Sequence, residues 1–222
     1  MRRSIRSCVV ASWAAIAATG AAFPLAAQLG SRPAQDWAIT LESGQRLESL
    51  EIEQVVAAIG LRPGEVVADI GAGTGIFSVP MARTVGANGI VYSVEVDAGF
   101  LPIIEGKARE QGVTNIRTVL GEFGDPKLPV RDIDVAFLHD VLHHIEQRAA
   151  YIRALAAYMP AGSRIVIVDY DADVPGVPHS NQPEMLIRPA EVSAWMSAAG
   201  FDVTREIEMF PDKFFVVYTK RG

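Results

Sequence analysis

The chain has 222 residues, of which 50% are hydrophobic, and its formal net charge is −6. This length is enough for one domain with a full core, and this hydrophobic content excludes a disordered chain. The acidic balance, without a cluster of lysines and arginines, disfavours nucleic-acid binding because phosphate contacts dominate that kind of affinity. We therefore expect neither DNA nor RNA as a partner.

The first 27 residues have the pattern of a secretory signal peptide. A positive region with three arginines is followed by an apolar, alanine-rich run at residues 9–22 and by small residues before Gln28. The run is too short to span a membrane easily. We expect a signal peptide at residues 1–27 and export to the periplasm or cell envelope, with no stable membrane span after its removal. A cytoplasmic location and an N-terminal membrane anchor are the alternatives.

The rest of the chain alternates between helical and strand patterns. Residues 28–44 are predicted to form a linker, and residues 45–59 carry apolar side chains at helical spacing. Strands are predicted at residues 66–70, 90–94, 116–120, 133–138, 164–170, 201–209 and 214–219. Helices are predicted from residue 76 onward and at residues 98–111, 146–159 and 189–199.

This alternation predicts a mostly parallel sheet with helices on both faces. The last two predicted strands are too close for a crossover helix, so they should pair antiparallel. The expected fold class is α/β, a Rossmann-like doubly wound sheet of seven strands with an antiparallel last strand. One domain, residues 45–222, should contain it.

The most informative stretch joins the first strand to the following helix. There, Asp69 is followed by Gly71, Gly73 and Gly75 at intervals of two residues. Glycine permits positive φ and lets a ligand lie directly on the backbone, and the helix N-terminus that follows suits a polar or anionic group. The dinucleotide pattern G-x-G-x-x-G would need glycine where Ile76 stands. The turn therefore predicts a nucleotide-type site and disfavours the alternative of an NAD(P)-linked oxidoreductase.

Residues 69–75 resemble motif I of the class I S-adenosylmethionine (SAM) methyltransferases, and the resemblance covers residues 45–221. It implies SAM as the cofactor, with the glycine turn at its amino-acid end. Asp69 is then expected to bond, through water, near the methionine amine. The expected backbone contacts are Gly71, Ala72, Gly73, Thr74 and Gly75.

The resemblance also assigns residues to the ribose and adenine. Glu95 ends the second predicted strand and is expected to bind both ribose hydroxyls, with Asp97 as the competing candidate. After the third strand, Glu122 is expected to receive the adenine amine and Phe123 to pack on the ring, although the family more often has aspartate at that place. Asp125 is the second choice for adenine, and Phe123 as an ordinary core residue is the alternative.

After the fourth strand, His139 is expected to begin the loop over the SAM sulfonium. His143 and His144 are expected to enter the next helix, where adjacent side chains point about 100° apart and cannot share a metal ion. We therefore predict no metal site. A general base is required only for a protonated acceptor. The catalytic candidates are His139, Asp140, His143 and His144, with Tyr170 and Asp171 as further possible bases.

Acceptor choice is expected to depend on residues 171–188, a long loop that should form a partial lid. Met185, Leu186 and Ile187 could line an apolar acceptor pocket or seal the next helix. The sequence thus predicts a SAM-dependent methyltransferase with a small-molecule acceptor. The alternative is a protein of this fold that binds SAM or a nucleoside without turnover. The acceptor, the base and the oligomeric state stay open.

Overall fold

The computed structural model describes residues 32–222. The predicted signal peptide lies outside the described residues, so its cleavage stays a prediction. Within residues 32–222, no helix has the length and apolar character that crossing a membrane requires.

Helices and strands alternate along the chain, as predicted. The helices are α1 (Ala34–Leu41), α2 (Gly44–Ser49), α3 (Ile52–Ile59), α4 (Ser78–Val85), α5 (Leu101–Glu110), α6 (Arg148–Ala156) and α7 (Pro189–Ala198). The strands are β1 (Val66–Ile70), β2 (Ile90–Glu95), β3 (Ile116–Leu120), β4 (Val135–His139), β5 (Arg164–Tyr170), β6 (Phe201–Glu206) and β7 (Lys213–Lys220). Short 3₁₀ turns lie at Ala98–Phe100, Leu142–His144 and Pro183–Met185.

The seven strands form one sheet in the order β3-β2-β1-β4-β5-β7-β6. Strands β1 to β5 pair in parallel, and β7 pairs antiparallel with both β5 and β6. The predicted fold class is confirmed. The strand order reverses direction between β1 and β4, and in sheets of this kind ligands bind at the carboxyl ends of the strands beside such a switch point.

Both faces of the central strands are buried. In β4, Ala136 and Leu138 pack on the side of α6 and α7. Val135 and Phe137 pack on the opposite side, against α3 and α4. A strand that is buried on both faces reads as a continuous apolar run, which is why β4 and β5 show little alternation in the sequence.

Two predictions for the N-terminal part are wrong. The segment predicted as a linker, residues 28–44, contains α1. The predicted helix at residues 45–59 is two helices, because Glu51 between them adopts a left-handed conformation with φ of 48°. The apolar spacing continues across this break, so spacing alone does not reveal it.

Candidate active site

A cavity of about 460 Å³ opens at the carboxyl ends of β1, β2 and β4. Its wall includes the glycine turn, the ends of these strands, the start of the segment after β3, and part of the loop before α7. Residues of helices α1 and α2 form a further part of the cavity wall. Its size is that of a small-molecule site.

The glycine turn forms one side of this cavity. Gly71, Gly73 and Gly75 have φ values of 67°, 56° and 77°. The backbone N–H groups of Gly71 and Ala72 donate to the carbonyl of Val94, at 2.9 and 3.1 Å, which ties the turn to β2. Such positive φ values favour glycine, so the backbone conformation explains this spacing of glycines.

The individual turn residues face different surroundings. Gly71, Ala72, Gly73 and Thr74 line the cavity. Gly75 does not, because it faces α5, where a Cβ atom would lie 3.2 Å from Ile104. The predicted cofactor contacts of the first four residues agree with their position, and Gly75 instead allows close packing between the turn and α5.

Asp69 lies beneath the turn and outside the cavity wall. Its Oδ2 accepts a hydrogen bond from Ser78 Oγ at 2.5 Å, and Ser78 in turn accepts one from Ser93 Oγ at 2.7 Å. Burial raises the pKa of Asp69 to about 7, and the nearby charge of Glu95 adds to this effect. Asp69 thereby anchors the start of α4 to β1, and its predicted contact through water near the methionine amine stays a prediction.

Glu95 lines the cavity at the end of β2. Its carboxylate accepts from the N–H groups of Gly73 at 2.6 Å and Val96 at 3.1 Å, while burial raises its pKa. The competing candidate, Asp97, also lines the cavity but accepts from the N–H of Gly99 at 2.8 Å and so caps a 3₁₀ turn. This arrangement favours Glu95 for the ribose, and that role stays a prediction.

Glu122 and Phe123 line the cavity after β3. The Phe123 ring is 48% exposed, so it is not a core residue. Glu122 forms an exposed ion pair with Lys127 at 3.2 Å. Asp125 accepts from Tyr158 Oη at 2.7 Å and lies outside the cavity wall. The predicted adenine contacts therefore fit Glu122 and Phe123 better than Asp125.

The N-terminal helices contribute residues that sequence reasoning missed. Trp37 and Leu41 of α1 and Arg46 of α2 line the cavity. Lys107 of α5 holds this segment by an ion pair with Glu42. Trp37 and Leu41 are four residues apart and so lie on one helix face, and this spacing could have indicated an apolar helix face at the cavity.

His143 forms a short, buried polar contact at the cavity wall. Its Nδ1 lies 2.6 Å from Asp169 Oδ1, and both side chains are buried. The backbone N–H of His143 also donates to Asp169 Oδ2, at 3.2 Å. Sequence reasoning missed Asp169, an acid near the end of the buried strand β5.

The prediction that His143 and His144 enter a helix with diverging side chains is wrong. They lie in a 3₁₀ turn, Leu142–His144, before α6, and both line the cavity. Their ring centroids are 4.0 Å apart, and the ring of His179 lies 5.2 Å from that of His143. Within residues 32–222, no group of three histidine, cysteine or acidic side chains is arranged to hold a metal ion.

The other candidate bases are less suited to accept a proton. His139 ends β4 instead of beginning a loop, and burial lowers its pKa to about 4. Burial and the neighbouring imidazoles lower the pKa of His144 to about 3. Burial raises the pKa of Tyr170 to about 12, so its phenol stays protonated. Asp171 lies outside the cavity wall and accepts from the N–H of Asp173.

Asp140 is also a poor base. Burial alone would raise its pKa, but the charges of His139, Lys213 and Arg46 outweigh this effect and lower it. Its φ of 55° is unusual for a residue other than glycine. Backbone strain of this kind often occurs at functional sites.

The loop after β5 partly covers the cavity. His179 and Met185 line it, whereas Ile187 packs into the core below α7 and Leu186 is half-buried. Arg148 of α6 donates to the carbonyls of His143, at 3.0 Å, and Glu184. Through Arg148, the loop is therefore linked to the 3₁₀ turn Leu142–His144, as is expected of a partial lid over the cavity.

Several buried polar atoms in the cavity wall have no hydrogen-bond partner among the described residues. They are Trp37 Nε1, Arg46 Nε, His139 Nε2 and His144 Nδ1. Buried polar groups are normally paired, so these atoms indicate a polar ligand. The glycine turn, the acid at the end of β2 and the switch point define an α/β protein that binds a nucleoside-type cofactor.

Comparison with known proteins identifies the family within this class of α/β proteins. A family model described as a methyltransferase domain matches residues 61–208. The chain therefore belongs to the class I SAM-dependent methyltransferases, and SAM is its cofactor. This finding sets aside the NAD(P)-linked alternative.

Individual relatives are distant. The chain is 24% identical to the ubiquinone/menaquinone biosynthesis C-methyltransferase UbiE of Vibrio vulnificus over 116 residues, 52% of this chain and 45% of the relative. The match thus spans less than half the length of that relative. A SAM-dependent methyltransferase from Aquifex aeolicus has a TM-score of 0.72 at 24% identity, covering 81% of this chain and 94% of that one.

The magnesium protoporphyrin IX methyltransferase of Synechocystis, solved with bound SAM, has a TM-score of 0.64 at 20% identity, covering 84% and 90% of the two chains. At these identities the structures support the fold alone.

Proposed function

We propose that this methyltransferase acts on a small hydroxylated aromatic molecule and that His143 removes the hydroxyl proton. The proposal depends chiefly on one observation, the buried contact of 2.6 Å between His143 Nδ1 and Asp169 Oδ1 at the cavity wall. The sulfonium of SAM is already a good leaving group, so alignment in a dry site is sufficient for an acceptor without a proton to lose. A positioned base indicates a protonated acceptor.

The hydrogen-bond partner of His143 determines which of its two ring nitrogens carries the proton. A carboxylate that accepts the Nδ1 proton leaves Nε2 of a neutral imidazole as the basic nitrogen. The contact of the His143 ring with Asp169 uses Nδ1 and leaves Nε2 on the other side of the ring. Asp169 is held in turn by the N–H of Tyr170, at 2.8 Å. His143 is therefore oriented for proton transfer from a bound acceptor.

The wall around His143 suits a flat ring. The imidazoles of His144 and His179 lie at 4.0 and 5.2 Å from the His143 ring, and Tyr170 lies at 5.8 Å. Met185 adds a flexible apolar surface. These rings pack on one another, and their faces give a planar acceptor a surface on which to stack.

The reaction balances without a further reactant. His143 takes the proton from the ring hydroxyl, the carbon–sulfur bond of the SAM methyl breaks, and a bond from that methyl to the ring oxygen or an adjacent ring carbon forms. When a ring carbon is methylated, the hydrogen on that carbon then leaves as a proton and the ring oxygen is protonated again. The products are the methylated acceptor, S-adenosylhomocysteine and a proton. The similarity to UbiE, named for ubiquinone and menaquinone biosynthesis, supports an acceptor of this kind, although it spans less than half of that protein.

The test is methyl transfer from radiolabelled SAM to paired acceptors. Hydroquinones and catechols should be methylated, and the same rings with both hydroxyls blocked as ethers should not. His143→Gln should lower kcat by roughly 10²- to 10⁴-fold, with SAM affinity within about twofold of wild type. Asp202→Asn, at an exposed ion pair with Arg221, is the matched control and should keep full activity. Equal methylation of the blocked ethers, or transfer to amines alone, would contradict the proposal.

We also propose that the protein is exported. The support is the pattern of residues 1–27, a positive region, an apolar run and small residues before Gln28. Cell fractionation and N-terminal sequencing test this proposal. A periplasmic chain that begins at Gln28 is expected, and a cytoplasmic chain that retains its first residues would refute export.

A further inference from the structure

Arg46 presents a weakly paired cation to the cavity. Its guanidinium is 34% exposed and lines the cavity. Among residues 32–222 the side chain donates no hydrogen bond. Its closest carboxylate oxygen, Asp140 Oδ2, lies 3.7 Å from Nη2, which is too long for one. Nε is buried without a partner. A charged donor in this state indicates a missing acceptor.

The charges around Arg46 indicate that this acceptor is an anion. Asp140 is already paired with Lys213, whose Nζ donates to Oδ2 at 2.9 Å and lies 2.8 Å from Oδ1. Lys213 is only 7% exposed, so this pair is well shielded from solvent. Two cations thus share one carboxylate, and the positive charge of Arg46 stays largely uncompensated.

The position of Arg46 fits one end of the cofactor. Asp140 precedes Val141, whose side chain packs on Gly71, the first glycine of the turn. The predicted ribose contact, Glu95, ends β2, whereas Asp140 and Val141 follow β4 on the other side of β1. Arg46 therefore lies on the β4 side of the turn, across β1 from the predicted ribose contact, and the amino-acid part of SAM is expected on that side.

We propose that Arg46 binds the α-carboxylate of the methionine part of SAM. An arginine fork matches a carboxylate with two parallel hydrogen bonds. The buried Trp37 Nε1, also in the wall and without a partner, supplies a second donor. Asp140 beside Arg46 places a negative charge near the α-ammonium. This inference uses SAM as the cofactor and is independent of the acceptor, and Arg46 lies outside the matched residues 61–208.

The test compares two ligands that differ in the amino-acid part. S-adenosylhomocysteine carries that part, and 5′-methylthioadenosine lacks it while keeping the ribose and adenine. Calorimetry should show that Arg46→Gln weakens S-adenosylhomocysteine binding by roughly 10- to 100-fold, the effect of one charge-assisted contact. Binding of 5′-methylthioadenosine should change by less than about twofold. Arg46→Lys should restore part of the loss.

Two further variants make the result specific. Arg153→Gln, on the exposed side of α6, is the matched control and should leave both affinities unchanged. Glu95→Gln, at the predicted ribose contact, should weaken both ligands alike. Equal losses of both ligands in Arg46→Gln would indicate a structural role and overturn the proposal.

Unchanged S-adenosylhomocysteine affinity together with a raised acceptor KM would also overturn it, because Arg46 would then serve an anionic group of the acceptor. These outcomes concern Arg46 alone. Failure of the proposed acceptor would appear instead in the methylation assay, with wild-type cofactor binding intact.

Discussion

Adding one methyl group at Gly71 should destabilise the protein strongly. An alanine Cβ there would lie 2.5 Å from Val141 Cγ2 and 2.9 Å from Cγ1, on a backbone with φ of 67°. The left-handed conformation costs a residue other than glycine roughly 1–2 kcal/mol. Overpacking of this kind costs roughly 1–3 kcal/mol. Gly71→Ala should therefore lower the free energy of unfolding by about 2–5 kcal/mol.

A double-mutant cycle separates these two costs. Val141→Ala removes both clashing methyl groups, so in combination with Gly71→Ala it should recover the overpacking part and leave the backbone part. Gly106→Ala is the matched control: it lies within α5, its Cβ would meet nothing within 4 Å, and it should stabilise by about 0.5–1 kcal/mol. Urea unfolding followed by circular dichroism measures all four variants. A Gly71→Ala protein as stable as wild type, or no coupling to Val141, would refute the reasoning.

Three further changes test other parts of the site. The pKa of Asp69 is raised from 3.8 to about 7, so its stabilising effect is complete below pH 3.8 and is lost as pH rises toward 7. Between pH 5 and 8 this loss should lower the free energy of unfolding of the wild type by about 3 kcal/mol, and Asp69→Asn should remove that decrease. The same pH dependence of the unfolding free energy in both proteins would contradict the raised pKa of Asp69. Glu95→Gln should weaken SAM by roughly tenfold or more in calorimetry; unchanged affinity would refute the ribose assignment. His179→Ala should raise the acceptor KM by roughly 3- to 10-fold through a lost ring contact and leave SAM affinity unchanged; a kcat effect alone would contradict its place in the acceptor wall.

The sequence predicted the features that depend on neighbouring residues. The glycine turn is one, because the strand, the glycines and the helix start lie within residues 66–85. The contact between His143 and Asp169 could not be predicted in this way. These residues are 26 positions apart, and the pairing of β4 with β5, in which His139 lies beside Val168, brings them together.

Two other features of the structure that the sequence analysis did not predict have separate explanations. Helix α1 depends on tertiary packing, such as the contact of Ala34 with Gly99, and a short helix with weak intrinsic preference is hard to recognise alone. The position of Asp69 beneath the turn, by contrast, could have been predicted. Side chains alternate along a strand, so Asp69 shares the face of Val67, which is buried against α3 and α4.

The most direct test of the proposed chemistry is the rate of methyl transfer in a single turnover, with SAM saturating and a hydroquinone as acceptor. His143→Gln should lower this rate by roughly 10²-fold or more. Asp169→Asn should lower the rate because the imidazole loses the partner that fixes its tautomer. A His143→Gln enzyme that keeps the wild-type single-turnover rate would contradict His143 as the base.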